Sequence, residues 1–367
     1  MTRYKTLNHI PREVLNASDY ESLAPNFISP EHFGYISGGS GFDKTLHQNS
    51  TSFLKYNIIP SAFSDVLHAS TKIDLLGESL EHPFLLAPLA YQTLVHKDGE
   101  IATAQGAEAT DTLMVASTLS SYTMEDISKN IDSNKWFQLY LQDNFNDTLK
   151  LIKRAENSGY KAIVLTVDAS VQLPSRTAIN AGFNMPENLY PANLTGLTPT
   201  MTETVHKQKS EVFRVFAKNA INKEILKKII ETTSLPVLIK GVLNPQDAVA
   251  LKQLGVKGLI VSNHGGRTLD GVVPSLTMLL EIRQAVGNDF CLLFDSGIRS
   301  GQDAFKAIAL GANAVLIGRL QVYALAVAGA LGVAHMLKLL RQELELSMSI
   351  TGTTSIKDIK STLLQKG

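Results

Sequence analysis

Short apolar and β-branched runs recur along the chain, separated by segments whose apolar positions return with a helical period. In order they are Phe84–Ala90, Leu113–Thr118, Trp136–Tyr140, Ala162–Asp168, Pro236–Val242, Gly258–His264, Cys291–Gly297 and Ala314–Arg319. Runs apolar at almost every position belong to strands buried on both faces, as in a parallel sheet covered by helices. The intervening segments supply the helices. Asn244 before Pro245, for example, is a capping residue followed by proline at the first helical position. Eight such units predict a single α/β (β/α)8 TIM barrel. An open doubly wound sheet fits less well, because no GxGxxG follows the first run.

One gap breaks the spacing. Nearly seventy residues separate Asp168 from Pro236, far more than a loop and a helix require. The part from Met185 to Lys209 is polar and rich in Thr, Pro and Asn. A loop over about 170–215 on the catalytic face, a candidate lid, is therefore expected. The first eighty or so residues form an N-terminal helical extension, the barrel core covers about 84–345, and residues 1–367 read as one domain.

Composition narrows the partners. Lys plus Arg and Asp plus Glu are both 34, and no basic run could track a phosphate backbone, which excludes a nucleic-acid binder. The single cysteine, Cys291, excludes an intramolecular disulfide and a Cys-rich zinc site, and no metal is expected. The N-terminus lacks the apolar core of a secretory signal. Leu320–Leu337 carries no charged residue and has the length of a short membrane span, but Gln321, Tyr323 and His335 interrupt it. It reads as a buried helix of a soluble, cytoplasmic protein without a membrane partner.

Catalytic residues of such barrels sit at the C-terminal strand ends. Those ends carry Ala90, Ser117, Gln138, Tyr140, Thr166, Asp168, Lys240, Ser262, His264, Asp295, Gly318 and Arg319, nearly all polar although the runs behind them are apolar. A lone histidine is usually structural. His264, in Ser262-Asn263-His264-Gly265-Gly266-Arg267, has an arginine three residues on, so the pair suits a general base beside a carboxylate clamp. Asp168 is placed to hydrogen-bond His264. Asp295, Gly297, Arg299, Gly318 and Arg319 follow the seventh and eighth runs, where barrels bind phosphate, and two arginines there suit a cofactor phosphate that stays bound. Lys240 closes an apolar strand and needs an anionic partner or a depressed pKa. It could form a Schiff base or stabilise negative charge on a flavin.

SNHGGRTLD, DSGIRSGQDAFKAIALGANAVLIGR, LIKGV, LTVD and WFQLY together resemble the FMN-dependent L-2-hydroxy acid oxidases and dehydrogenases. The resemblance runs from about Tyr20 to about Lys357, and the Tyr35–Thr45 segment is most similar to bacterial lactate oxidases. It implies FMN as cofactor and His264 as the base that takes a proton from the substrate. It implies that Arg267 binds the substrate carboxylate, that Tyr140 and Tyr35 hydrogen-bond the substrate, and that Asp168 stabilises the imidazolium. Lys240 would face the flavin near N1, Pro88 and the backbone at Ala90 would lie against the ring, and Ser117, Gln138, Thr166 and Ser262 would hold it. Asp295, Gly297, Arg299, Gly318 and Arg319 would hold the ribityl chain and phosphate. The family places a second carboxylate-binding arginine seven residues after the aspartate of LTVD. Here that position is Ser175, and Arg176 beside it is the candidate replacement. Leu119 and Tyr91 stand where residues shape the side-chain pocket.

The resulting expectation is oxidation of a small L-2-hydroxy acid, L-lactate to pyruvate, with electrons passed to oxygen to give hydrogen peroxide, in a homotetramer. Three alternatives stay open: a dehydrogenase with a non-oxygen acceptor, a barrel isomerase or lyase in which Lys240 forms a Schiff base, and a flavin-binding protein that Ser175 leaves catalytically poor.

Overall fold

The computed structural model describes residues 4–63, 65–198, 210, 212–213 and 220–367. Eight parallel strands close into a barrel. They are β1 (Phe84–Leu86), β2 (Leu113–Ser117), β3 (Lys135–Leu139), β4 (Ile163–Thr166), β5 (Val237–Val242), β6 (Gly258–Val261), β7 (Cys291–Phe294) and β8 (Ala314–Ile317). Each strand pairs with its neighbour in sequence, and β8 pairs with β1 through Val315–Phe84, Leu316–Leu85 and Ile317–Leu86. Nearly every position along these strands is buried, as expected of strands covered on both faces.

All eight predicted runs are strands, but most are shorter than the runs. The ladder stops where the apolar sequence gives way to polar motif residues, which turn into loops over the barrel mouth. Asn244 caps the helix Pro245–Gln253 as anticipated, its side chain accepting from the Gln246 amide.

The chain before the barrel is built of the short helices Asp19–Leu23, Pro30–Ser37 and Lys44–Thr51. The last is tied to the loop after β6 by reciprocal amide bonds between buried Asn49 and Asn263, at 2.8 and 2.7 Å. Ser40 also donates from its backbone to Gly266 at 2.8 Å. This extension therefore braces the catalytic mouth. At its far end, Tyr56–Ile58 pairs antiparallel with Leu364–Lys366 close to the end of the chain.

Among the described residues one helix, Arg319–Thr351, is long and apolar enough to cross a membrane, and most of its apolar stretch is buried. It packs on the helices Gly99–Glu108 and Gly301–Ala309, with no Cβ at Gly106 to hold it off. The anticipated Leu320–Leu337 helix is thus part of the core.

The expected lid lies partly outside the described residues. Two points of its described part are pinned. Asn193 is buried, donating to the carbonyls of Ser117 and Thr118 and accepting from the Met124 amide at 2.7 Å. Leu173 and Pro174 are stitched by backbone bonds to Thr268 (2.8 Å) and Gly41 (3.0 Å).

Candidate active site

The polar residues at the strand ends converge on a cavity of about 260 Å³ at the C-terminal mouth of the barrel. Tyr35, Pro88, Ala90, Ser117, Tyr140, Lys240, His264, Arg267, Asp295, Gly297, Arg299, Gly318 and Arg319 all line it. Gln138, Thr166, Ser262 and Asp168 lie just behind that lining.

His264 leaves the β6 strand end in the left-handed region at φ 58°, a conformation costly for a residue with a Cβ. Its amide donates to Ser262 Oγ (3.0 Å), and the next amide, Gly265, donates to Ser296 Oγ (3.1 Å). These bonds hold the strained turn and aim the imidazole into the cavity. His264 Nδ1 lies 2.9 Å from Asp168 Oδ1. An ionised carboxylate only accepts, so Nδ1 carries the proton and Nε2 is left to take one. Burial pushes the Asp168 carboxyl up, but His264 and Lys240 outweigh it and hold the group below its ordinary value. Gly241 makes room for Asp168: it adopts φ +103°, and a Cβ there would lie 2.5 Å from Asp168 Cγ.

Lys240 is buried in β5 between two acceptors, Ser262 Oγ at 2.9 Å and Asp295 Oδ2 at 3.2 Å. Burial alone would lower its pKa; Asp295 and Asp168 reverse this and raise it. A lysine held charged in an ion pair is a poor Schiff-base nucleophile, so the isomerase or lyase alternative loses its residue. The same fixed cation suits a site where negative charge develops.

Arg267 donates through Nη1 to the carbonyls of Tyr35 (2.8 Å) and Gly38 (3.0 Å), and its guanidinium sits 4.9 Å over the Tyr35 ring. Tyr35 in turn stacks on Phe183 at 4.2 Å. The arginine is therefore locked in place, with Nε and Nη2 left to meet an anion. Burial, then the Asp168 carboxylate and the neighbouring phenols, raise the Tyr140 phenol well above its ordinary range against the opposing charge of Arg267, so it stays a neutral donor.

Three expectations need correction or refinement. Arg176 does not line the cavity: Ser175 caps the short helix Arg176–Asn180 through the Ala178 amide, and Arg176 points outward onto the exposed Phe42 ring at 4.5 Å. Among the described residues no second arginine takes the clamp position there. Arg299 lines the cavity but is held side-on by Glu21, Nε to Oε2 at 2.6 Å and Nη2 to Oε1 at 3.1 Å. Arg319 spends Nε, Nη1 and Nη2 on the carbonyls of Ile36, Gly265 and Gly38, and burial pushes its pKa down to about 10. Sequence reasoning missed Gln172 and Ser296 as cavity-lining residues. Ser296 lies within a quoted motif; Gln172 carries no motif signal.

The fit of a flavin can be tested on these residues. The floor of the mouth holds buried polar atoms without a hydrogen-bond partner among the described residues, including Gln138 Nε2 and Thr166 Oγ1. Buried groups of this kind are normally satisfied, so unpaired ones beside a cavity mark a ligand with its own donors and acceptors. With the Lys240 cation next to them, they suit the polar edge of an isoalloxazine ring.

Comparison with known proteins agrees with that geometry. The family model for the FMN-dependent dehydrogenases matches residues 24–366. An L-lactate oxidase of Alicycliphilus denitrificans is 50% identical over 96% of this chain and 96% of its own. One from Nostoc is 38% identical over 95% of this chain and 98% of its own. The crystal structure of a mandelate oxidase superposes with a TM-score of 0.86 at 36% identity, over 96% of this chain and 98% of that one.

Proposed function

Since the chain belongs to the FMN-dependent dehydrogenase family, we propose that it oxidises a small L-2-hydroxy acid, with L-lactate as the first candidate, and delivers the electrons to oxygen. The observation that carries the reading is the His264–Asp168 pair, 2.9 Å apart, opening on the same cavity as Arg267. Base, orienting carboxylate and carboxylate clamp converge on one space.

The residues divide the work. Arg267 orients the substrate carboxylate, with Tyr35 and Tyr140 as hydrogen-bond donors. That fixes the carbinol carbon opposite His264, whose Nε2 takes a proton as the 2-oxo acid forms. Asp168 then faces an imidazolium and stabilises it across the 2.9 Å contact. FMN held there would supply two-electron acceptor chemistry between the substrate and oxygen, with hydrogen peroxide as the reduced product. Ser117, Gln138, Thr166, Ser262 and Lys240 would hold the ring, with Pro88 and Ala90 against it. Asp295, Gly297, Arg299, Gly318 and Arg319 would surround the ribityl chain and phosphate, Arg299 and Arg319 offering only the N–H groups not already given to Glu21 and Ile298 and to the carbonyls of Ile36, Gly265 and Gly38. The substrate's own side chain would lie against Leu119 and Tyr91, which line the cavity next to each other; the Tyr91 amide donates to the Leu119 carbonyl at 3.1 Å.

The L-lactate oxidases among the relatives support both the substrate and the acceptor in this reading. A homotetramer is part of it, tested by light scattering on the purified protein. The function itself is tested by oxygen uptake with L-lactate, measured together with hydrogen peroxide and pyruvate. One peroxide and one pyruvate per oxygen are expected. Reduction of an artificial dye by L-lactate without oxygen uptake would contradict the acceptor, and inertness toward every short L-2-hydroxy acid would contradict the substrate class.

A further inference from the structure

Five cationic side chains surround or approach the mouth, and their engagements differ. Lys240 is paired with Asp295, Arg299 with Glu21, Arg319 with three backbone carbonyls, and Arg176 is stacked outside on Phe42. Among the described residues only Arg267 lines the cavity with whole guanidinium nitrogens, Nε and Nη2, unengaged; the remaining N–H groups of Arg299 and Arg319 stand at the end assigned to the phosphate. A substrate carboxylate therefore meets one cation. The other polar side chains lining the cavity include the hydroxyls of Tyr35 and Tyr140 and the carboxamide of Gln172.

Gln172 is placed beside Arg267 by the backbone. Its neighbour Leu173 donates to the carbonyl of Thr268, the residue after Arg267, at 2.8 Å, and Pro174 accepts from Gly41 at 3.0 Å. The side chain stands exposed at the rim of the cavity. A carboxamide donates through nitrogen and accepts through oxygen. It can thus meet a carboxylate oxygen or, equally, the N–H of a substrate amide, which an arginine cannot accept.

Resting on the proposed 2-hydroxy acid oxidation, we infer that the site also oxidises neutral 2-hydroxy carboxamides, and that Gln172 is the residue that sets this breadth. The reaction balances as for the acid. The carbinol loses two electrons and two protons to become the 2-oxo amide; His264 takes one proton, the electron pair and the second proton would go to bound FMN, and oxygen would take up two electrons and two protons, including the one held by His264, as hydrogen peroxide. Exchanging a charged for a neutral acceptor at a single arginine costs one charge-assisted hydrogen bond, roughly 10- to 200-fold. A site built around several buried charges would reject the neutral analogue by roughly 10⁴ or more, because charges would be left unpaired.

The test compares L-lactate with L-lactamide by anaerobic flavin reduction of the holoprotein, in wild type, Gln172→Arg and Gln172→Leu. The expected kcat/KM preference for L-lactate over L-lactamide in wild type lies within roughly 200-fold. Gln172→Arg should raise that preference at least about tenfold, by adding a second charge that only the carboxylate satisfies. Gln172→Leu, which adds no charge, should cost L-lactamide more than L-lactate. A preference beyond roughly 200-fold in wild type, or one that Gln172→Arg leaves unchanged, overturns the inference. A protein reduced by L-lactate but not by L-lactamide overturns it while leaving the proposed function standing; one reduced by neither overturns both.

Discussion

Replacing Asp168 by asparagine removes one charge from the His264 pair and little else. The side chains have nearly the same shape, and the contact is 2.9 Å between Oδ1 and Nδ1, with 13% and 20% of the two side chains exposed. With charge centres about 4 Å apart and an effective dielectric of about 20, the carboxylate–imidazolium attraction is about 4 kcal/mol. A histidine acting as base starts uncharged and gains little of this, so most of it favours the state in which His264 has taken the proton. At about 1.4 kcal/mol per tenfold, the flavin-reduction rate should fall by roughly 10²- to 10³-fold. Stopped-flow mixing of oxygen-free holoprotein with L-lactate measures this rate directly, and the flavin spectrum beforehand confirms equal cofactor content. The charge removed is present throughout the assay range, because the carboxyl is held below its ordinary value of 3.8 and stays ionised. A drop of less than about threefold would refute the claim that Asp168 stabilises the protonated base.

Three further outcomes are expected. Gly241→Ala, which would drive a Cβ to 2.5 Å from Asp168 Cγ at φ +103°, should slow flavin reduction at least about tenfold with FMN still bound; an unaffected rate would show that Asp168 need not sit there. Glu100 is buried, with Oε1 accepting from the amides of Gln92 and Ser121 at 3.0 Å each and Oε2 without a partner, and burial raises its pKa above 4.5. The folded state therefore binds this proton more tightly than the unfolded state, so stability is lost as pH rises above 4.5; Glu100→Gln should melt higher than wild type, by a margin that widens from about pH 5 to about pH 8. A margin that narrows would contradict the sign. Burial pushes the Cys291 thiol up to about 12, so it should resist a thiol reagent near neutral pH in the folded protein and react once denaturant is added; rapid labelling of the native protein would contradict this.

The barrel was legible because its strands are apolar at nearly every position, and few architectures other than a helix-covered parallel sheet bury a strand on both faces. The site was legible where a polar residue ends such a strand, as at Ser117, Thr166, Lys240 and Asp295. What escaped the sequence depends on contacts distant along the chain or on local backbone geometry. Arg176 looked equivalent to a clamp one position away. Its direction, however, is set by Ser175 acting as a helix cap, which turns the next side chain outward. Arg299 looked free for phosphate, but its partner Glu21 comes from a helix of the N-terminal extension. Gln172 reaches the rim only because the loop around it is stitched to Thr268 and Gly41. The left-handed backbone of His264 is likewise invisible in a sequence where histidine ordinarily adopts other conformations.

The central claim is that this cavity holds FMN and passes it the electrons of an L-2-hydroxy acid. The most direct measurement is the visible absorbance spectrum of the purified protein in the absence of oxygen, before and after L-lactate is added, and again when air is admitted. The account predicts a flavin spectrum that bleaches with L-lactate and returns in air, and that a His264→Ala variant keeps the flavin but does not bleach. A flavin that L-lactate bleaches equally well in His264→Ala would contradict the assigned chemistry, and a protein that is colourless and takes up no added FMN would contradict the site itself.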